Sequence, residues 1–413
     1  MIAEIVATGD EVLTGGIVDS NSSYIAEKLT EIGVAVGRHV SVGDNARILT
    51  QTIQEISQRA DLAIVTGGLG PTEDDLSSEA AAAAAGVDTV LHPEAMRSLE
   101  TFLNRLKRPV SATNRKQAYL PRGADCIVNP VGTAPGFSMS INQCRFFFLP
   151  GVPGEMKHMV TVAVLPEILR RIGERQAACM IRDICVFGPG ESDVSEQLSG
   201  FTERFPEIKL GLQAVFPEIH VKLYLWGKYP DRLKNMADDA IAWVERRIGD
   251  HVFSFSGEGM EAVIGRLLKK RRFTVALAES CTGGLIAHRL TSVSGSSDYF
   301  NFSGVTYANA AKIEVLGVSA ATLRDCGAVH ENTAREMAQG ARRAGNADLG
   351  LATTGIAGPT GGTKNKPVGT VCIGLAAPEA VKGYTFHYPF TDRGKNKAVF
   401  TMKALDLLRR ELM

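Results

Sequence analysis

The sequence predicts an α/β protein of more than one domain, and three observations carry that reading. Short apolar runs alternate with amphipathic stretches of ten or more residues, glycine-rich turns fall where the apolar runs end, and 413 residues is two to three times the length of an ordinary domain. From residue 2 to about 169, IAEIVATG, AVGRHVSV and DLAIVTGG read as strands, with SSYIAEKLTEIG and ARILTQTIQEISQRA as helices between them. Strands joined through helices favour a parallel sheet covered on both faces, with ligand sites beyond the carboxyl ends of its strands. Residues 145–149 form a further apolar run, and LPGVPGEM leads from it into another helical pattern.

Between residues 170 and 256 the pattern changes. CMIRDICVFG and IKLGLQAVFPEIHVKLYLWG alternate as strands, PDRLKNMADDAIAWVERRIG is one long amphipathic helix, and HVFSFSGEGM closes the segment, which together predicts a small α+β domain. From residue 257 to 413 a second α/β domain is expected. It begins with the helix MEAVIGRLLKKRR and the strand FTVALAES, continues through a glycine turn and the helix GLIAHRLTSV, and ends in the strands LGLATTG, VGTVCIGLA and GYTFHYPF before a closing helix. The glycine-rich stretch between residues 353 and 369 is of the kind that carries function on a rigid scaffold.

Composition narrows the possible functions. Lys and Arg number 45 and so do Asp and Glu, so no global basic field draws the chain to nucleic acid or anionic lipid. The longest bland stretch, residues 80–87, is too short and too rich in Ala to cross a bilayer, and the N-terminus lacks the basic start and apolar run of a secretory signal. Seven cysteines without CxxC pairs argue against a disulfide framework or a zinc site and for a reducing cytoplasm. The eight histidines show no HxxxH spacing and do not cluster with cysteine along the chain, so any divalent metal is expected on carboxylates.

In the last domain Ala278-Glu279-Ser280-Cys281-Thr282-Gly283-Gly284 sits where a strand gives way to a helix. Unpaired helix N-terminal amides there can stabilise an oxyanion, so Ser280 suits a nucleophile; Ser280 or Thr282 suits a helix cap equally well. A serine needs a base, and Val305-Thr306-Tyr307-Ala308-Asn309-Ala310-Ala311-Lys312 offers Tyr307 and Lys312, a desolvated lysine being able to accept a proton near neutrality. TTGIAGPTGG supplies hydroxyls on a permissive backbone, and Arg393 an anion-binding guanidinium. Taken in order, AESCTGG, GVTYANAAK, TTGIAGPTGGTKNKPVGTV and TDRGKNK closely resemble the C-terminal domain of the CinA family, the nicotinamide mononucleotide deamidase domain. The resemblance implies Ser280 as nucleophile, Lys312 as its general base, Tyr307 as a hydrogen-bonding helper, Thr354 as a substrate or oxyanion contact and Arg393 on the phosphate. Thr282, Gly283 and Gly355 would touch substrate, and no cofactor would be needed.

The first domain carries Thr66-Gly67-Gly68-Leu69-Gly70-Pro71-Thr72-Glu73-Asp74-Asp75 directly after a strand. Glycines at a strand end suit pyrophosphate, and adjacent acidic residues would repel it unless a divalent cation intervened; an acidic helix start satisfying its own dipole is the alternative. With GDEVLTGG, NPVGTAPG and LPGVPGEM this set looks like the MoaB/MogA-type molybdopterin-binding domain found at the N-terminus of CinA proteins. That resemblance implies a three-layer fold, and ADP-ribose pyrophosphatase activity dependent on Mg, Mn or Co and on potassium. Asp75 and Asp44 would be the functional carboxylates, Asp74 and Asp75 the metal ligands, and Gly67, Gly68, Gly70 and Thr72 the substrate cradle. The expected protein is a cytoplasmic homodimer acting on NMN and ADP-ribose, with domains at 1–169, 170–256 and 257–413. Two other readings stay open: a pterin- or nucleotide-binding N-terminal module without catalysis, and a DNA-uptake partner. The second needs a basic face, for which KKRR at 269–272 is the single block.

Overall fold

A computed structural model describes residues 1–173 and 178–413, and the chain forms two compact units, 1–180 with 226–233, and 181–225 with 234–413. No helix among the described residues is long and apolar enough to cross a membrane.

The first unit is built on a six-stranded sheet in the order Ala35–Val42, Ile2–Thr8, Leu62–Thr66, Cys144–Leu149, Gly136–Ile141, Asp125–Ile127. The first four strands run parallel and the last two antiparallel, as expected where the helical crossovers give way to hairpins. Strand alternation sends Ala3, Ile5, Ile64 and Phe147 to one face, against Ile25, Leu29, Met156 and Val160. Val6, Ala63, Val65, Phe146 and Phe148 go to the other, against Leu49, Ile53, Ile56 and Ala80. The result is the three-layer α/β domain that the sequence predicts. The parallel strands deliver Gly9 and Gly67 to one edge of the sheet, where the chain must turn back over their ends. Gly67 and Gly68 hold φ of 110° and 66°, and a Cβ on Gly67 would stand 2.5 Å from the Thr8 carbonyl, so only glycine fits both the backbone and the space.

In the second unit a four-stranded sheet, ordered Ile208–Val215, Glu218–Gly227, Ala178–Phe187, Val252–Ser254, carries the helix Pro230–Ile248, which buries Ala237, Ala240 and Val244. This is the small α+β element of the sequence reading. Beside it a five-stranded sheet runs Phe300–Val305, Val275–Glu279, Leu349–Gly355, Thr370–Ala376, Val381–His387, the first three parallel and the last two antiparallel. One face is lined with Val275, Leu277, Leu349, Leu351 and Ile373 and packs on Ile264, Leu268, Ile286, Phe400 and Leu405; the same core takes in Cys185, Phe187 and Phe253 from the small domain. The opposite face is nearly all small residues, Ala276, Ala278, Ala352 and Ala376, against Met337, Ala338 and Ala341. Gly350 and Gly374 let the helix Glu331–Ala344 approach so closely that a Cβ on either would collide with the Ala338 or Ala334 carbonyl.

Candidate active sites

In the second unit, Ser280 follows the strand Val275–Glu279, its amide bonded to the Thr353 carbonyl at 3.0 Å, so the nucleophile candidate is anchored to the neighbouring central strand. The side chain before it explains the turn. Glu279, 0% exposed, accepts the backbone N–H groups of Gly284 (2.9 Å) and Ile286 (3.2 Å) on one carboxylate oxygen and of Ala287 (2.8 Å) on the other. A buried carboxylate with no cation beside it among the described residues is thus held by the start of the helix Leu285–Thr291. The helix cap expected at Ser280 or Thr282 is made by Glu279, which leaves the Ser280 hydroxyl free for other partners.

Lys312 reaches that hydroxyl from the helix Asn309–Leu316. Its Nζ lies 3.1 Å from Ser280 Oγ, 2.8 Å from the Thr306 carbonyl and 3.0 Å from the Tyr307 carbonyl, and the residue is 1% exposed. Burial lowers its pKa below the ordinary lysine value, and no carboxylate among the described residues pairs with it. A neutral amine has two hydrogens and one lone pair. Nζ donates to all three oxygens; in the neutral form its two hydrogens would serve the carbonyls and the lone pair would face Ser280 Oγ, which would then donate to it. Cys281, the other nucleophile in the motif, is excluded by the same burial, which pushes its thiol up to about 12.

The remaining expected residues fall into two groups. Tyr307 is exposed, and its hydroxyl accepts a hydrogen bond from Arg393 Nη2 at 3.0 Å while Arg393 Nη1 donates to the Gly358 carbonyl at 2.9 Å, so both stand at the rim. Thr282, Gly283 and Gly355 surround the serine turn; a Cβ at Gly355 would stand 2.6 Å from the Thr370 carbonyl. Thr282 is fully buried, with its hydroxyl 2.8 Å from that of Thr353. Thr354 points the other way, as strand alternation requires, and donates to the Ala328 carbonyl at 2.9 Å. Of the amides around the turn, Gly283 donates to the Ser280 carbonyl, whereas those of Cys281 and Thr282 meet no backbone carbonyl among the described residues. Three residues escaped the sequence reading: Glu279, Thr353, and Lys397, whose Nζ lies 3.4 Å from where a Gly283 Cβ would be.

In the first unit a cavity of about 360 Å³ opens at the sheet edge, lined by Thr8, Gly67, Gly68 and Gly70 and by the carboxylates Glu11, Asp44, Asp74, Asp75 and Glu155, with no lysine or arginine. Asp44 accepts the Asp10 backbone N–H at 3.1 Å and Asp10 accepts that of Asp44 at 3.0 Å. Burial, then the charges of Asp10, Glu11 and Asp74, raise the Asp44 pKa. Asp75 accepts the N–H (2.9 Å) and the hydroxyl (2.5 Å) of Thr72, so Thr72 orients a carboxylate and its hydroxyl is already spent. Lys116 donates to the carbonyls of Thr72 and Asp75 and pins this loop from outside. Glu155, raised by burial and bonded by Asn129, belongs to the site although sequence reasoning did not single it out. Thr8 Oγ1 is buried with no partner. A pocket this rich in carboxylates accommodates a pyrophosphate only together with a cation.

Comparison with known proteins fits this division. Family models match at residues 4–170 (probable molybdopterin binding domain), 181–254 (damage-inducible protein CinA KH domain) and 257–412 (CinA C-terminal domain). A CinA-like protein of Desulfosudis oleivorans is 49% identical, with 100% of both chains covered, and one of Desulforapulum autotrophicum is 46% identical, covering 100% of this chain and 99% of that one. The crystal structure of the competence/damage inducible protein CihA from Agrobacterium tumefaciens is 38% identical over 38% of this chain and 96% of that chain, with a TM-score of 0.36. Full-length identity at this level, together with three family domains in order, shows that the chain belongs to the CinA family.

Proposed function

We propose that the second unit hydrolyses the carboxamide of nicotinamide mononucleotide to nicotinic acid mononucleotide and ammonia. The observation that carries this reading is the buried Lys312 amine, 3.1 Å from Ser280 Oγ and within hydrogen-bond distance of two carbonyls. Lys312 takes the Ser280 proton as Oγ attacks the amide carbon, and the amides of Cys281 and Thr282 receive the oxyanion. The C–N bond then breaks, Lys312 passes its proton to the departing nitrogen, and ammonia leaves an acyl-serine. Water, deprotonated by the same amine, attacks the ester and releases the carboxylate and the free serine. Arg393 and Lys397, one turn apart on the helix Arg393–Glu411, supply cations for the phosphate. Purified protein incubated with NMN should yield equal amounts of ammonia and nicotinic acid mononucleotide, and Ser280→Ala none. Arg393→Met should raise KM for NMN about tenfold or more with a smaller change in kcat, a split that marks ground-state binding; an unchanged KM would remove Arg393 from the phosphate.

The first unit is read as an ADP-ribose pyrophosphatase giving AMP and ribose 5-phosphate. Asp74 and Asp75 would hold a divalent cation, which would neutralise the pyrophosphate and polarise its phosphorus–oxygen bonds. Asp44, whose pKa is raised by burial, would take the proton of the attacking water. Asp44→Asn and Asp74→Asn should each lower ADP-ribose hydrolysis about a hundredfold and leave NMN turnover untouched, in assays with Mg²⁺, Mn²⁺ or Co²⁺. The family model over residues 4–170 favours one competing reading, a pterin-binding module; tight binding of a pterin with no ADP-ribose turnover would select it.

A further inference from the structure

Along the sequence no histidine lies near a cysteine, and oxygen ligands are expected for any metal; in the sheet of the small domain, however, a histidine and a cysteine meet in space. Asp183 and Cys185 are two positions apart on the strand Ala178–Phe187 and therefore share a face, and the adjacent strand Glu218–Gly227 brings His220 beside them. His220 Nδ1 lies 3.0 and 2.9 Å from the two Asp183 oxygens and 3.8 Å from Cys185 Sγ. Among the described residues this is the one group of three carboxylate, thiol or imidazole ligand atoms within 4.8 Å of one another. We propose that Asp183, Cys185 and His220 form a binding site for a borderline-soft divalent cation of the zinc class.

The spacing and the surroundings both support this. Ligand atoms at about 2.0–2.3 Å from a tetrahedral zinc stand roughly 3.3–3.8 Å apart, so the nitrogen–sulfur separation already fits and the carboxylate opens by a few tenths of an ångström. The cluster is graded in exposure: Cys185 is buried at its base, while the His220 and Asp183 side chains are 17% and 26% exposed. Three protein ligands would leave one position of a tetrahedral ion for solvent. Behind the imidazole stands the support that a metal-bound histidine uses: Nε2 lies 3.7 Å from Glu218 Oε2, and Glu218 is held by Arg289 at 3.2 Å. On binding, metal bonds form to Sγ, Nδ1 and a carboxylate oxygen. The thiol proton goes to solvent, the imidazole proton moves from Nδ1 to Nε2 toward Glu218, and no electron is transferred. Arg289 also pairs with Glu261 at 2.6 Å, and it lies on the helix Leu285–Thr291 that Glu279 caps, so occupancy would tighten the packing beside the serine turn.

Full-length protein, reduced and stripped with a chelator, should on titration with Co²⁺ develop a thiolate-to-cobalt charge-transfer band in the near ultraviolet that saturates at one equivalent and is displaced by Zn²⁺. Cys185→Ala should abolish the band, and Asp74→Asn, which alters the thiol-free pocket of the first unit, should leave it intact. Because Cys185 is part of the core, His220→Gln at the rim provides a second variant, expected to weaken Co²⁺ binding at least tenfold with an unchanged melting profile. Anomalous scattering at the zinc edge from soaked crystals should peak between the three side chains. Absence of a thiolate band in the wild type, its persistence in either variant with the fold intact, or a zinc peak elsewhere with none here would overturn the site.

Discussion

Lys312→Arg is expected to lower kcat for NMN hydrolysis by about a thousandfold or more, while a long side chain able to donate to the same carbonyls remains. A guanidinium cannot give up its proton near neutrality, so the variant lacks the base that the mechanism requires. The wild-type rate should rise with pH as the amine deprotonates and level off at a pH below the ordinary lysine value, because burial lowers this pKa in the folded protein. Stability follows the same window. Between the lowered folded pKa and the ordinary unfolded one, the unfolded chain binds more protons, so stability rises with pH across that interval and is flat below it. Rate profiles of wild type and Lys312→Arg, with urea melts at matched pH, check both; an arginine variant that keeps a tenth of the wild-type rate would end the Ser-Lys assignment.

Glu279→Gln carries the second large effect. The carboxylate accepts three backbone N–H groups on two oxygens in a fully buried position, and a carboxamide has one oxygen to offer. At least one amide of Gly284, Ile286 or Ala287 would face an NH₂ group, and the charge that complements the helix start would be lost. Hydrogen bonds to charged groups contribute about 1.5–3 kcal/mol each, so a destabilisation of about 2–4 kcal/mol is expected, together with a fall in kcat as the turn around Ser280 loosens. Thermal melts and single-turnover rates for this variant measure the two effects separately. If both match wild type, the turn is ordered by something other than the carboxylate.

The architecture was largely legible because its signals are periodic. The alternation that buries Ile5 and Ile64 on one face and Val6 and Val65 on the other is written in IAEIVATG and DLAIVTGG, and helix lengths imply the parallel crossovers. Ser280 and Lys312 were legible as motif positions, and their 3.1 Å approach follows from the parallel pairing that aligns the first three strands of the second sheet. Side-chain direction was harder to read. Thr353 and Thr354 are indistinguishable in TTG, yet strand parity sends one to the Thr282 hydroxyl and the other to the Ala328 carbonyl. Glu279 looks like the end of an apolar strand, and nothing local shows that its partners lie five to eight residues on. His220 and Cys185 are separated by two helices and a strand, so their meeting depends on strand order, which periodicity does not encode.

The apolar core that joins Cys185, Phe187 and Phe253 to Met260, Ile264 and Leu277 bears on how this polypeptide could be inherited piecemeal. A gene fragment starting near codon 257 would specify a sheet and helices complete in themselves but with an oily flank that water now touches. Autonomy of the last segment would therefore demand compensating polar replacements along that flank. Recombination that merely deletes the preceding stretch would yield a sticky product until such replacements follow.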